Sequence, residues 1–359
     1  MASGGASSVV VTGCGVRSPV GATFLQTGAS VRAGITRLRE HPWYTCTPMD
    51  PEWDAELPLV CSAMPDLDEL LDDPERLVRP AVDALREALS ALPLRRAELP
   101  RGALLLVFPD DRALAGITTN DELLQRVVEA SGLWSLGTIR AIGGGQAAGF
   151  LALKAAATLL RSNVADFCIV GCVDSYLLDA RLAAIDAEWR LKSERNADGF
   201  LPGEAAAFLV LEAAPRVAAR TGAVLAHLGP VGLGAEPNTL ATKKASSGAG
   251  LATAIRTALG GTTEIPWVLC DLNGESHRAF EWGVVLARLA QPLENIARLT
   301  HPADCLGDVG AASCGVLVAC AIHGFQRGYA PGTNALLWCA SDDGTRAAVL
   351  ARRPATPAR

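Results

Sequence analysis

Two stretches of this 359-residue chain, 146–161 and 311–325, are apolar almost all the way round a helix. Such a helix has no face to give to water, so it has to lie between other layers of structure. Each is followed by an apolar run of strand length, 167–173 after the first and 335–340 after the second. A further apolar strand follows each of these, at 206–212 and 347–351. The first helix ends Leu-Arg-Ser-Asn and its strand ends Gly-Cys-Val-Asp. The second helix begins near Asp308 and ends Gln-Arg-Gly, and its strand ends Cys-Ala-Ser-Asp. The likeness is one of pattern, and it reads as a weak internal repeat with a boundary near residue 220. Other strands are expected at 9–13, 103–108, 224–228 and 267–272. An amphipathic helix is expected over 77–92, where leucine, valine and alanine recur at helical spacing. This alternation predicts an α/β layered fold.

Composition narrows the function classes. Half of the residues are hydrophobic and 19% are charged, enough for a large core. The net charge of −6 gives no basic footprint for nucleic acid. No apolar run is long enough to span a bilayer, and no charged segment followed by an apolar one opens the chain, so the sequence reads as cytoplasmic. Ten cysteines are scattered along it without a Cys-x-x-Cys pair or a zinc-type Cys/His spacing. They read as reduced, buried thiols, with no metal and no cofactor expected. Residues 1–8 and 352–359 read as loose tails, and 41–73, with five prolines, as a long surface excursion.

Four segments carry a family resemblance. Residues 142–149 read Ile-Gly-Gly-Gly-Gln-Ala-Ala-Gly, and a strand ending Gly171-Cys-Val-Asp174 follows. This looks like the nucleophile segment of a β-ketoacyl synthase of the thiolase superfamily, in which a Cys-x-Ser-Gly turn opens a buried helix. Val9 to Gly21 resembles the first strand and turn of that family, and Phe24 to Ile35 the helix that follows. Asp198-Gly-Phe-Leu-Pro-Gly-Glu-Ala-Ala-Ala207 is similar to its Asp-Gly-Phe-x-x-Gly-Glu-Gly-Ala motif. The second half is more diverged. Asp271 to Glu281 resembles the segment of the first catalytic histidine, with Asn273 at that position and Glu281 at a later acid. Leu306 to Ser313 resembles the segment of the second, with Asp308 in its place and Ala303 where the family has a lysine. Ser341-Asp-Asp-Gly-Thr345 stands where Gly-Phe-Gly-Gly-Thr is usual.

The resemblance implies a thiolase-like αβαβα fold built of two duplicated halves, 1–220 and 221–359, sharing one core. It also implies a site in which the Cys, His and His are Gln146, Asn273 and Asp308. Gly145, Gly149, Asp342 and Gly344 would line the substrate path. A glutamine amide forms no thiolate and takes no acyl group, so the covalent route is lost. Asn273 keeps one hydrogen-bond donor, whereas an ionised Asp308 would repel the charge that develops on a thioester oxygen. Glutamine in place of the cysteine resembles chain-length factors, the silent partners of ketosynthases, more than loading-type ketosynthases, which keep both histidines.

The implied protein is a non-condensing member of fatty-acid or polyketide biosynthesis. Its partners would be an acyl-carrier protein or acyl-CoA, in a homodimer or a heterodimer with an active ketosynthase, formed through the strand at 137–142. The alternative is an active decarboxylase, acyltransferase or hydrolase of acyl thioesters with a rebuilt site, using Asn273, Asp308 or His277 on a bound thioester, His277 as a displaced base. A third reading is a scaffold that binds only proteins. Plainer readings of the same residues stay open. Gln146 caps its own helix. His277 is a solvated histidine. Asp308, Asp342, Asp343 and Glu275 are loop carboxylates rather than a cation site. Cys305 and Cys314 are structural thiols rather than substitute nucleophiles. Gly143 to Gly145 is no phosphate cradle, because no Lys-Ser/Thr follows.

Overall fold

The computed structural model describes residues 9–47, 57–68, 71–90, 96–220 and 222–355. In chain order the first part carries β1 (Val9–Arg17), α1 (Phe24–Ala33), β2 (Leu38–Cys46), β3 (Leu57–Ser62), α2 (Glu75–Ser90), β4 (Gly102–Phe108) and α3 (Asn120–Ser131). It continues with β5 (Thr138–Gly143), α4 (Ala148–Arg161), β6 (Phe167–Ser175), α5 (Asp179–Ala187), β7 (Glu204–Ala213) and α6 (Ala214–Ala219). The second part carries β8 (Ala226–Leu228), β9 (Gly232–Ala235), α7 (Ala249–Leu259), β10 (Trp267–Cys270), α8 (Ser276–Arg288) and α9 (Ala290–Leu293). It closes with β11 (Arg298–Thr300), α10 (Ala303–Leu306), α11 (Ser313–Arg327), β12 (Asn334–Ala340) and β13 (Thr345–Arg352).

One large mixed sheet runs β11-β10-β12-β13-β8-β1-β7-β6-β4-β5, with β9 joined to β13. The order β5-β4-β6-β7-β1 recurs as β11-β10-β12-β13-β8. β4 and β6 are buried along their whole length, as strands covered on both faces are. Alternate residues of each feed different cores. Ala103, Leu105 and Val107 join α4 and α11 in the central core, while Leu104, Leu106 and Phe108 join α2 and α3 outside. Beyond the other half, Val268, Leu336, Trp338 and Leu350 pack on α7 and α8. The layering is therefore α, β, α, β, α, as expected. The helices α4 and α11 are its middle layer; α11 is buried from Ser313 to Phe325, whereas α4, expected to be apolar nearly all round, exposes Lys154, Ala155, Thr158 and Arg161 on one face. They approach closely: a Cβ on Gly149 of α4 would lie 2.4 Å from Cys314 Cβ of α11.

Several expectations change in detail. The helix expected from 146 begins at Ala148, which leaves Gln146 in the turn before it. The helix expected over 77–92 runs Glu75–Ser90, and Leu92 lies outside the described residues. The stretch 41–73 is not all surface excursion. β2, which starts just before it at Leu38, pairs antiparallel with β3, and Leu59, Cys61 and Met64 are buried. Its prolines obscured an apolar run that packs on Leu177, Leu182 and Leu191. Arg352 is no tail residue, since it pairs with Asn334 at the end of β13. The tail expected at 1–8 lies outside the described residues, as does 356–359 of the other. All ten cysteines are buried, and none is in a disulfide.

Candidate functional site

The turn between β5 and α4 carries Gly144, Gly145 and Gln146. A Cβ on Gly145 would lie 2.9 Å from Ser341 Oγ, so the turn passes too close to the β12–β13 connection for a larger residue. Ser341 Oγ accepts the Ala147 N–H at 2.8 Å, occupying a donor at the mouth of α4.

Gln146 is 2% exposed. Its amide donates to Asp308 Oδ2 at 3.2 Å and to the Tyr176 hydroxyl at 3.3 Å. Asp308 is fixed by its backbone: its N–H donates to Leu201 O at 2.8 Å, and its carbonyl accepts from the Gly203 N–H at 2.9 Å. The Asp198–Ala207 motif thus clasps the segment that bears Asp308. The Asp308 carboxylate also accepts from the Gly310 N–H at 2.7 Å and from Asn273 Nδ2 at 2.7 Å. Asn273 gives its amide to Glu275 Oε2 as well, at 2.9 Å. The positions expected for Cys, His and His therefore meet, as Gln146, Asp308 and Asn273 in one hydrogen-bonded chain.

Two arginines complete the chain. Arg190 donates to both Glu275 oxygens, at 2.7 and 3.0 Å, and to Asp342 Oδ2 at 2.8 Å. Arg278 donates to Glu275 at 3.2 Å, to Asp271 at 3.3 Å and to Asp342 Oδ1 at 2.9 Å. The buried carboxylates Asp271, Glu275 and Asp308, with the partly open Asp342 beside them, require such cations, because an unpaired buried charge is expensive. Neither arginine stands in a motif of its own, and the charge balance of the pocket was the one signal for them. The electrostatics follow from burial against pairing. Burial pushes the Asp308 carboxyl up, and Arg278 together with the donated hydrogen bonds pulls it back. Burial raises Asp271 to about 7, against Arg278. Asp342 is held at about 2, where the two arginines outweigh its burial.

The other expected residues are placed as follows. Gln146, Gly145 and Asp342 line one open cleft of about 690 Å³, with Tyr176, Arg190 and Phe200. Its walls are mixed, with charged side chains among apolar ones, rather than those of a purely apolar tunnel. Gly149 faces Cys314 and lies in the helix contact. Gly344 lines neither this cleft nor its neighbour; it turns the β12–β13 loop at φ 96° and would clash with Glu236 O. Glu281 is paired in a fork with Arg346 of β13, at 2.7 and 2.9 Å. Asp343 caps the Thr345 N–H at 2.7 Å. His277 lines a second cavity of about 440 Å³ with Ser276, Lys243 and Phe280, and burial lowers its pKa. Burial pushes the Cys305 and Cys314 thiols up, away from the thiolate a nucleophile needs.

Comparison with known proteins places this geometry. Residues 137–216 match the family model described as the β-ketoacyl synthase N-terminal domain. The whole architecture matches solved ketosynthases. One is a type II polyketide ketosynthase in complex with its acyl-carrier protein and bound to the hexaketide, at 15% identity and TM-score 0.78 over 97% of this chain and 100% of that one. The chain has the ketosynthase fold. The ishigamide ketosynthase/chain length factor superposes at TM-score 0.77 and 19% identity, over 97% of this chain and 100% of that one. An oxazolomycin ketosynthase domain from Streptomyces albus JA3453 does so at 0.79 and 14% identity, over 98% of this chain and 75% of that one. No curated protein matches the chain by sequence. The ketosynthase fold thus surrounds the Gln146–Asp308–Asn273 chain. Among the described residues no helix is long and apolar enough to cross a membrane.

Proposed function

We propose that this chain is a ketosynthase-like partner in polyketide or fatty-acid synthesis that does not itself condense. The observation that carries this is the Gln146–Asp308–Asn273 chain. A condensing site needs a thiolate and two free donors aimed at a thioester oxygen. Here there is no thiol at the turn, and the amides of Gln146 and Asn273 are spent on Asp308 and Glu275. The Ala147 N–H is spent on Ser341. The carboxylate of Asp308 would meet a developing oxyanion with like charge. Losing one such donor costs about 10²–10³ in rate, and here several are lost.

Residues 1–220 and 221–359 are read as two duplicated halves around one core. The cleft at Gln146 supports a chain that receives a ligand, an acyl chain or an acyl-carrier arm, over a pure scaffold. Dimerisation is proposed through β5, which lies at the end of the sheet with one edge unpaired among the described strands. A second copy or an active ketosynthase would cover it. Against a rebuilt decarboxylase or hydrolase stands the placement of His277 in the other cavity. The test is to supply the purified chain alone with acyl- and malonyl-carrier proteins and assay for a β-ketoacyl product. No product is expected, and a product at a ketosynthase rate overturns the proposal.

A further inference from the structure

The cleft at Gln146 and the cavity at His277 are neighbours, and both are lined by Ser341 and Asp342. Asp342 borders both. Its Oδ1 takes Arg278, which lines the His277 cavity, and its Oδ2 takes Arg190, which lines the cleft. The guanidinium partners are nearly buried, with side chains 11% and 3% exposed, whereas 41% of the Asp342 side chain is open. Open surface on a residue clamped between two buried cations is surface that faces the two cavities. Each arginine is held from behind by Glu275, so neither end of the clamp is free to swing.

We propose that Asp342, clamped between Arg190 and Arg278, is an ionic seal that divides what would otherwise be one passage, so that an extended arm entering the His277 cavity stops at Asp342 without reaching Gln146. The seal decides which ligands meet Gln146: those that enter by the cleft's own mouth. Asp342 is a selectivity residue and not a catalytic one. Its carboxylate stays ionised through the neutral range, being held at about 2, so the clamp is closed there at all times. That an arm would be a thioester carrier rests on the function proposed above; the seal itself does not.

The experiment places one thiol on each side, with His277→Cys and Gln146→Cys in one chain. A short rigid bismaleimide is added, and the 146–277 crosslink is read by peptide mass spectrometry. With Asp342 present little crosslink is expected. In the same chain carrying Asp342→Ala, crosslinking should rise at least tenfold. Asp342→Asn, which keeps the side-chain volume without the charge, should fall between. Arg190 and Arg278 keep Glu275 in both variants, and circular dichroism checks that the fold is retained. Equal crosslinking with and without Asp342 overturns the seal, as does an Asp342→Ala chain that stays uncrosslinked while each thiol alone reacts with N-ethylmaleimide. Neither result bears on condensation, which the carrier assay reads separately.

Discussion

Replacing Arg278 by methionine keeps the buried stem and removes the charge. Arg278 is 3% exposed in its side chain and serves Asp271, Glu275 and Asp342. The loss is not three ion pairs. Glu275 and Asp342 keep Arg190. Asp271 keeps the Ala340 N–H at 2.8 Å and a weaker attraction to Arg346, with no other ion pair in contact among the described residues. One carboxylate is thus stranded, and breaking one buried pair costs about 3–5 kcal/mol. The pH dependence has a definite sign. Asp271 already sits at about 7, raised from the ordinary carboxylate value. Without Arg278 it rises further. A carboxyl raised in the folded state binds its proton there more tightly than in the unfolded chain, so stability falls as pH rises toward the folded value. The deficit of Arg278→Met should therefore be largest near pH 8 and shrink toward pH 5 by up to about 1.4 kcal/mol, because pH 8 lies about one unit above the wild-type value of Asp271. Urea melts followed by tryptophan fluorescence at both pH values measure it. A deficit under about 1 kcal/mol, the range of exposed pairs, or one that is the same at both pH values, would refute the reasoning.

Three more outcomes are expected. In the wild-type chain Asp271 should make stability fall between about pH 4 and pH 7, and Asp271→Asn should flatten that slope; a slope that survives points to another group. Gln146→Cys should be alkylated by iodoacetamide more slowly than a free cysteine, because the Asp308 carboxylate opposes the thiolate, and adding Asp308→Asn should speed it; no difference between the two contradicts the contact. Ser341→Ala leaves the buried Ala147 N–H without its acceptor and should cost about 1–3 kcal/mol in chemical denaturation.

Much of the fold was legible in sequence because its middle layer is so apolar. The helix around Leu317 is buried from Ser313 to Phe325, the one around Phe150 is buried except along a narrow Lys154, Ala155, Thr158 and Arg161 face, and the strands that follow them are apolar on both sides. The hairpin of β2 and β3 was not legible, since Pro42, Pro48, Pro51, Pro58 and Pro65 mask a short apolar run. At the site, Gln146 was readable from the turn that precedes α4. Asn273 and Asp308 were readable only by resemblance, and their meeting depends on a bridge between Pro202 and Asp308, far apart in sequence. Arg190 and Arg278 were not readable. Their role comes from three-dimensional charge balance, and no local pattern announces it. Gly344 shows the converse: a motif position that the fold uses for a turn.

The central claim is that Gln146, Asn273 and Asp308, at the positions expected for the Cys, His and His, are spent on one another. It is tested most directly by intact-mass spectrometry of the chain and of malonyl- and acyl-carrier proteins after they are mixed. The account predicts no acyl mass added to the chain and no loss of carbon dioxide from the malonyl carrier. An acyl adduct on the chain, or a decarboxylated carrier that appears only in its presence and vanishes with Asn273→Ala or Asp308→Ala, would contradict it.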